Sequence, residues 1–355
     1  MRTSRVRPTS PTRSQLEPTC TDESASRASD PKYQFACSEI SVAPVGPGKR
    51  TAAQLKHTTG TRAVRAARRL PDAGTSAAIK QAIPDKTLHR RPRGVAPWSL
   101  IGVAVRLHAH SYAVPPHVAK NISTSVDLRA QCPPVYDQGA IGSCTANAIA
   151  GALEFDMMKQ GLDDFVPSRL FIYYNERAIE GHVGADSSAY IRDGIKSVAS
   201  QGDCSESMWP YDATPAQPDG TFPPGAKAAT QPPPQCYDNA IHHKALNYQS
   251  VDRNLADMKG CLASGYPFVF GFTVYESFES SEVARTGDVP MPSAEEPVVG
   301  GHAVLAVGYD DEDAVFICRN SWGPAWGDAG YFYMPYAYLL DDNLSDDFWT
   351  IRVVE

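Results

Sequence analysis

At 355 residues, with 42% hydrophobic and 9% aromatic content, the chain has enough apolar side chains for a sizeable core and room for two domains. Its formal charge of −7 conceals an uneven split: residues 1–100 carry 18 Lys and Arg against 7 Asp and Glu, and the remainder carries 15 against 33. The acidic body argues against nucleic-acid binding as its main task, and the basic part shows neither aromatic interleaving nor a recognised motif for that purpose, so no nucleic-acid partner is expected.

Residues 1–109 are rich in Arg, Ser, Thr, Pro and Ala and poor in aromatic and β-branched residues. Such a segment cannot bury enough apolar surface to offset its ordering entropy, so a basic, largely disordered leader is expected. The start, MRTSRVRPTSPTR, lacks the apolar stretch of a secretory signal, and the internal run Trp98 to Val105 is too short to span a bilayer. A soluble chain without a transmembrane segment follows as the expectation, with the compartment left open.

The ordered part is expected over residues 110–355. An extended arm at 110–131 leads to DQGAIGSCTANAIAGALE, Asp137 to Glu154, where a glycine-bracketed loop delivers Cys144 to an apolar run. Ala148, Ile149, Ala152, Leu153 and Phe155 recur at three- and four-residue intervals, which predicts a buried helix over 144–160. Its start places the sulfur among unpaired backbone N–H groups at the positive end of a helix dipole, which favours the thiolate. Further helices are predicted over 167–179, beginning at Pro167-Ser168, and over 187–199. Eight prolines between 210 and 234 predict a surface loop across 204–236.

After residue 240 the pattern changes. A helix at 252–263 precedes YPFVFGFTVY (266–275), GGHAVLAVGY (300–309), AVFICR (314–319), a run around Tyr331 and a closing FWTIRVV, all of which read as strands. His302 stands at the head of one of them, after two glycines, where its imidazole is expected at an exposed cleft edge. Asn320 follows another, in NSWGPAWG. A cysteine, a histidine and an asparagine in this order supply a nucleophile, its base and a group that orients the base.

The motifs QGAIGSC, GGHAVLAVGY and NSWGPAWG together resemble those of the papain-like cysteine peptidases, over roughly residues 110–355. The resemblance implies an α+β, papain-like two-domain fold: a helical left domain (about 132–240) and an antiparallel β-barrel-like right domain (about 241–355), with the active-site cleft between them. It implies Cys144 as nucleophile, His302 as general base and then acid, Asn320 as its orienter and Gln138 as an oxyanion-hole donor. Gly142, Ser143, Ser187, Ser188, Gly301, Ala303, Trp322 and Trp326 are the expected substrate contacts. The chain departs from the family at Thr145, where a tryptophan is usual, at Ile141, where a disulfide-forming cysteine is usual, and in GADSSAY, where a Gly-Gly pair is usual.

The implied activity is peptide-bond hydrolysis through a thioester, on a peptide or protein substrate, by a monomer. The alternatives are a transpeptidase or ligase on the same scaffold, and a catalytically inactive peptide-binding module. The leader sits where the family carries an inhibitory propeptide, which makes it a candidate intramolecular inhibitor. The eight cysteines show no C-x-x-C pair and no metal-ligand spacing, so no structural zinc is expected, and the implied thiol chemistry calls for neither metal nor organic cofactor. Cys204 and Cys236 bracket the Pro-rich segment and would close it as a disulfide in an oxidising compartment.

Overall fold

The computed structural model describes residues 111–162 and 165–355. The leader, 1–109, with the disorder expected of it, lies outside the described residues.

The longest helix among the described residues is α2, Cys144–Gln160, which follows a short α1, Pro116–Ala119. Every residue of α2 from Cys144 to Met157 is buried, so it is a central helix covered on all sides rather than an amphipathic one. Gly161, at φ 68°, ends it in the left-handed conformation, which costs glycine nothing. Helix α3, Arg169–Glu180, starts on a Ser168 cap whose hydroxyl accepts from the Phe171 N–H. Helix α4, Ile191–Ser200, begins later than the periodicity predicts, because Ser188 sits at φ 55° and breaks the first turn.

The segment 204–236 contains no strand, as its prolines require. It does contain a 3-10 turn at Lys227–Ala229, and helix α5, Pro234–Ala240, opens on two of the prolines, which are tolerated in a first helical turn. Cys204 and Cys236 are brought together with Phe171 and Ala240 in one small apolar cluster, but neither forms a disulfide.

The second half holds β2 (Ala245–Ser250), α6 (Leu255–Ala263), β3 (Phe268–Tyr275), α7 (Ser281–Thr286), β4 (Val298–Asp310), β5 (Val315–Arg319), β6 (Tyr331–Pro335), α8 (Tyr336–Leu340) and β7 (Ser345–Val354). With β1, Ser125–Asp127, these strands form one antiparallel sheet in the order β2-β7-β3-β4-β5-β6, and β1 pairs with the far end of β4. The barrel-like closure expected from the sequence does not occur: β2 and β6 are the two ends of an open path. The short strands β1 and β2 and the helices α1, α7 and α8 escaped the sequence reading, having too few residues to show a period.

Strand β3 is buried from Phe268 to Val274 and lies between β4 and β7. Phe268, Phe270 and Phe272 form tilted pairs along the strand, and Phe272 meets His302 of β4 edge-on at 5.7 Å. Burying a side chain of this size contributes about 2–3 kcal/mol. This aromatic layer, together with α2, which packs across β4, provides a rigid floor for the site.

Candidate active site

The first turn of α2 places Cys144 at a cleft that Gln138, Gly142, Asp186, Ser188, Val274, Glu279, Val299, Gly300, Gly301, His302 and Trp322 also line. Three of the four residues proposed for chemistry on sequence grounds therefore converge on one crevice, and the fourth, Asn320, touches it through His302. Cys144 is 7% exposed, and Ser143 before it makes no side-chain cap to the helix. The first-turn N–H groups are thus not taken up by the usual capping side chain.

His302 is buried, not exposed at the cleft edge as the sequence suggests. Trp322 stacks over its ring at 5.0 Å between centroids, and Phe272 and Phe278 enclose its other sides. Its Nε2 lies 2.8 Å from Asn320 Oδ1. That oxygen also accepts from the Ser321 N–H at 2.8 Å, which identifies it as the carboxamide's acceptor end. His302 Nε2 must therefore donate, leaving Nδ1 as the basic nitrogen. Burial pushes the imidazole down to about 4, against the opposing pull of the Asn320 hydrogen bond.

Gln138 is held on several sides. Its N–H donates to the Ser321 carbonyl at 2.8 Å, its Oε1 accepts from Ser321 Oγ at 2.6 Å, and its Nε2 donates to the Ile141 carbonyl at 3.0 Å. One N–H of the amide remains for an acceptor in the cleft. The Gly142 N–H donates to Asp186, 2.9 and 3.1 Å from its two carboxylate oxygens, and Tyr173 also donates to that carboxylate. Beyond Ile141, where the family usually has a disulfide, this chain therefore has a carboxylate–amide clamp on the next residue.

Of the expected substrate contacts, Gly142, Ser188, Gly301 and Trp322 line the cleft, and the other four do not. Ser143 is fully buried and turned towards Tyr211, 2.6 Å away. Ala303 is buried and follows His302 on a strand, so it points to the opposite face. Trp326 packs edge-on against Trp322 at 5.1 Å and supports it from behind. Ser187 bonds locally to the Ser188 carbonyl. Asp186, Val274, Glu279, Val299 and Gly300 are cleft residues the sequence reading did not select. Gly300, Asp186 and Val274 lie inside stretches it quoted, whereas Glu279 and Val299 belong to no recognisable pattern.

Among the described residues, no group of three or more His, Cys, Asp or Glu side chains stands close enough to hold a metal ion. No helix among them is long and apolar enough to cross a membrane.

Residues 122–339, more than half of the chain, match the model of the papain family of cysteine proteases. An uncharacterized peptidase C1-like protein of Acanthamoeba polyphaga mimivirus is 46% identical over 227 residues, covering 61% of this chain and 69% of that protein. Xylellain, a cysteine protease from Xylella fastidiosa, superposes with a TM-score of 0.67 at 48% identity, covering 71% of this chain and 94% of that structure. A proCathepsin B from Trypanosoma congolense shares the fold at TM-score 0.52 and 16% identity, covering 70% and 83% of the two chains. With its thiol, imidazole and carboxamide gathered at one cleft, the chain belongs to the papain family of cysteine proteases, and its activity is that of a cysteine peptidase.

Proposed function

We propose that Cys144 is the nucleophile, His302 the general base and then acid, Asn320 the orienter of His302, and Gln138 an oxyanion-hole donor together with the Cys144 N–H. The observation that supports this reading is the meeting of Cys144, His302 and Gln138 at one crevice, with Asn320 bonded to the imidazole. His302 Nδ1 takes the thiol proton, and the helix start and the imidazolium then stabilise the thiolate. Sulfur attacks the peptide carbonyl, and its oxygen becomes an oxyanion facing Gln138 Nε2 and the Cys144 N–H. The imidazolium returns its proton to the leaving amine as the C–N bond breaks. Water, deprotonated by His302, then hydrolyses the thioester and regenerates the thiol.

The substrate in this reading is an extended peptide or protein segment lying along the cleft. Two acidic side chains line it, Asp186 and Glu279, and the former is already engaged by Gly142 and Tyr173. The leader acts as an intramolecular inhibitor, supported by its position ahead of the peptidase domain at 110–355 and by a charge opposite to the body's. The working unit is a monomer.

Replacing Cys144 by Ala is the deciding experiment. Loss of turnover by at least about 10³-fold with an unchanged thermal midpoint is the expected result; hydrolysis retained in the Ala variant overturns the assignment. For the leader, the 110–355 fragment is compared with the full chain, and equal rates in the two would remove the inhibitory role.

A further inference from the structure

The two proposed oxyanion donors, Gln138 Nε2 and the Cys144 N–H, are joined by the loop 139–143, and Ser321 fixes only the Gln138 end of it. Its local bonds are few: Ser143 N–H donates to the Ile141 carbonyl at 2.8 Å, Gln138 Nε2 to the same carbonyl at 3.0 Å, and Gly139 N–H to Asp137 Oδ1 at 2.9 Å. The remaining restraint comes from outside, and part of it comes from the Pro-rich segment, which carries no part of the proposed chemistry.

Tyr211 of that segment reaches both ends of the loop. Its hydroxyl lies 2.9 Å from the Gln138 carbonyl oxygen and 2.6 Å from Ser143 Oγ. A phenol has one proton, and a carbonyl only accepts, so Tyr211 donates to Gln138 and Ser143 must donate to Tyr211. Ser143 Oγ in turn accepts from Asn147 Nδ2 at 3.0 Å. A single directional chain of hydrogen bonds therefore runs from Asn147 on α2 through Ser143 and Tyr211 to the backbone of Gln138. Gln138 and Ser143 are 1% and 0% exposed, which leaves water no easy way to replace the phenol.

Tyr211 is itself held firmly. The Arg169 guanidinium stacks on its ring at 3.9 Å and pairs with Glu206 at 2.7 Å, and the Tyr211 N–H donates to the same Glu206 carboxylate at 3.0 Å. Two residues on, Ala213 packs against Gly139: a β-carbon there would stand 2.6 Å from the Ala213 methyl. Gly139 also sits at φ 59°, so glycine is required there on both counts.

We infer that Tyr211 is a positioning residue for the oxyanion hole, its hydroxyl strapping the Gln138 backbone to the residue that precedes the nucleophile. The inference rests on Gln138 being an oxyanion donor. Burial pushes the phenol up to about 12, so it stays a donor across the working range.

Tyr211→Phe removes the hydroxyl and keeps the ring on Arg169. Peptide hydrolysis is expected to fall about tenfold in kcat with KM little changed, because a misplaced donor weakens the transition state more than the ground state. Alkylation of Cys144 by iodoacetamide, which needs the thiolate but no oxyanion donor, should keep its wild-type rate. Ser143→Ala cuts the same chain one link earlier and should give the same split, and the double variant should be no slower than the slower single one. It also serves as the reading should Tyr211→Phe fail to fold. Unchanged kcat in Tyr211→Phe, or hydrolysis and alkylation falling in parallel, overturns the inference. Gln138→Ala run alongside separates the two levels: wild-type turnover there overturns the oxyanion assignment and the strap together, whereas slow turnover there with normal Tyr211→Phe overturns the strap alone.

Discussion

Ser321 and Gln138 are joined twice: the Gln138 N–H donates to the Ser321 carbonyl at 2.8 Å, and Ser321 Oγ donates to Gln138 Oε1 at 2.6 Å. The second bond sets which end of the Gln138 amide faces the cleft, because an oxygen that accepts from Ser321 leaves Nε2 on the other side. Ser321 also gives its own N–H to Asn320 Oδ1, so one residue ties the proposed oxyanion donor to the group that orients His302.

Ser321→Ala should therefore lower kcat by about tenfold, the cost of one buried hydrogen bond of about 1.4 kcal/mol, with Cys144 alkylation unaffected. Gln138→Ala removes the donor itself and should cost about 10²-fold or more. Steady-state kinetics on one peptide substrate order the two. A Ser321 variant slower than the Gln138 variant would show that the serine acts through something else.

Asp156 supplies a test of stability against pH. Both its carboxylate oxygens are buried without a hydrogen-bond partner, and burial pushes the group up to about 8, against the attraction of Arg352 and Lys159. A raised acid holds its proton in the fold where the unfolded chain has lost it, so between about 4 and 8 stability declines as pH rises. Asp156→Asn should match the wild type near pH 4 and exceed it near pH 8, by on the order of 3 kcal/mol. Denaturant melts at the two pH values measure this, and a gap independent of pH would contradict it.

His302 has the opposite sign. Its depressed value means that between about 6.5 and 4 the unfolded chain binds a proton the fold refuses, so stability falls as pH drops through that window. In a Cys144→Ala background, where no thiolate offsets the imidazolium, replacing His302 by Gln should flatten the acid limb of the stability curve. An unchanged limb would mean that the imidazole is protonated within the fold.

Gly202 follows α4 at φ 81°, and a β-carbon there would overlap the carbonyl oxygen of Ala240. Backbone cannot move aside as a side chain can, so Gly202→Ala should destabilise by more than about 3 kcal/mol, read as a fall in the urea midpoint. The neighbouring Cys204 and Cys236 give a chemical check. Both should be alkylated when the protein is unfolded without reductant, and a mass showing them joined would contradict the free thiols of the structure.

Much of the site was legible because its residues belong to motifs with local causes. Cys144 heads a helix whose apolar spacing is plain, and the run that His302 heads and the run that ends before Asn320 have strand composition. What sequence could not convey was direction. Ser143 adjoins Cys144 yet turns inward to Tyr211, and Ala303 adjoins His302 yet lies on the other face of β4. His302 looked like a rim residue because glycines precede it, but Trp322 and the phenylalanines around it arrive from separate elements and cover it. The closed barrel failed for a related reason: alternation identifies strands and says nothing about whether the first and last of them meet. Tyr211 was hidden because proline density marks irregular backbone, and irregular backbone can still be held firmly by side chains such as Arg169 and Glu206.

Helix α2, which carries Cys144, packs directly on β4, which carries His302, and Gly151 of the helix lies under the Arg319 guanidinium of β5 and the Leu305 side chain of β4. Sulfur and imidazole mounted on two elements in direct contact keep their spacing without any closing motion. Entry of a substrate and exit of its fragments then fall to the surface segments around the crevice rather than to any gross opening of the molecule.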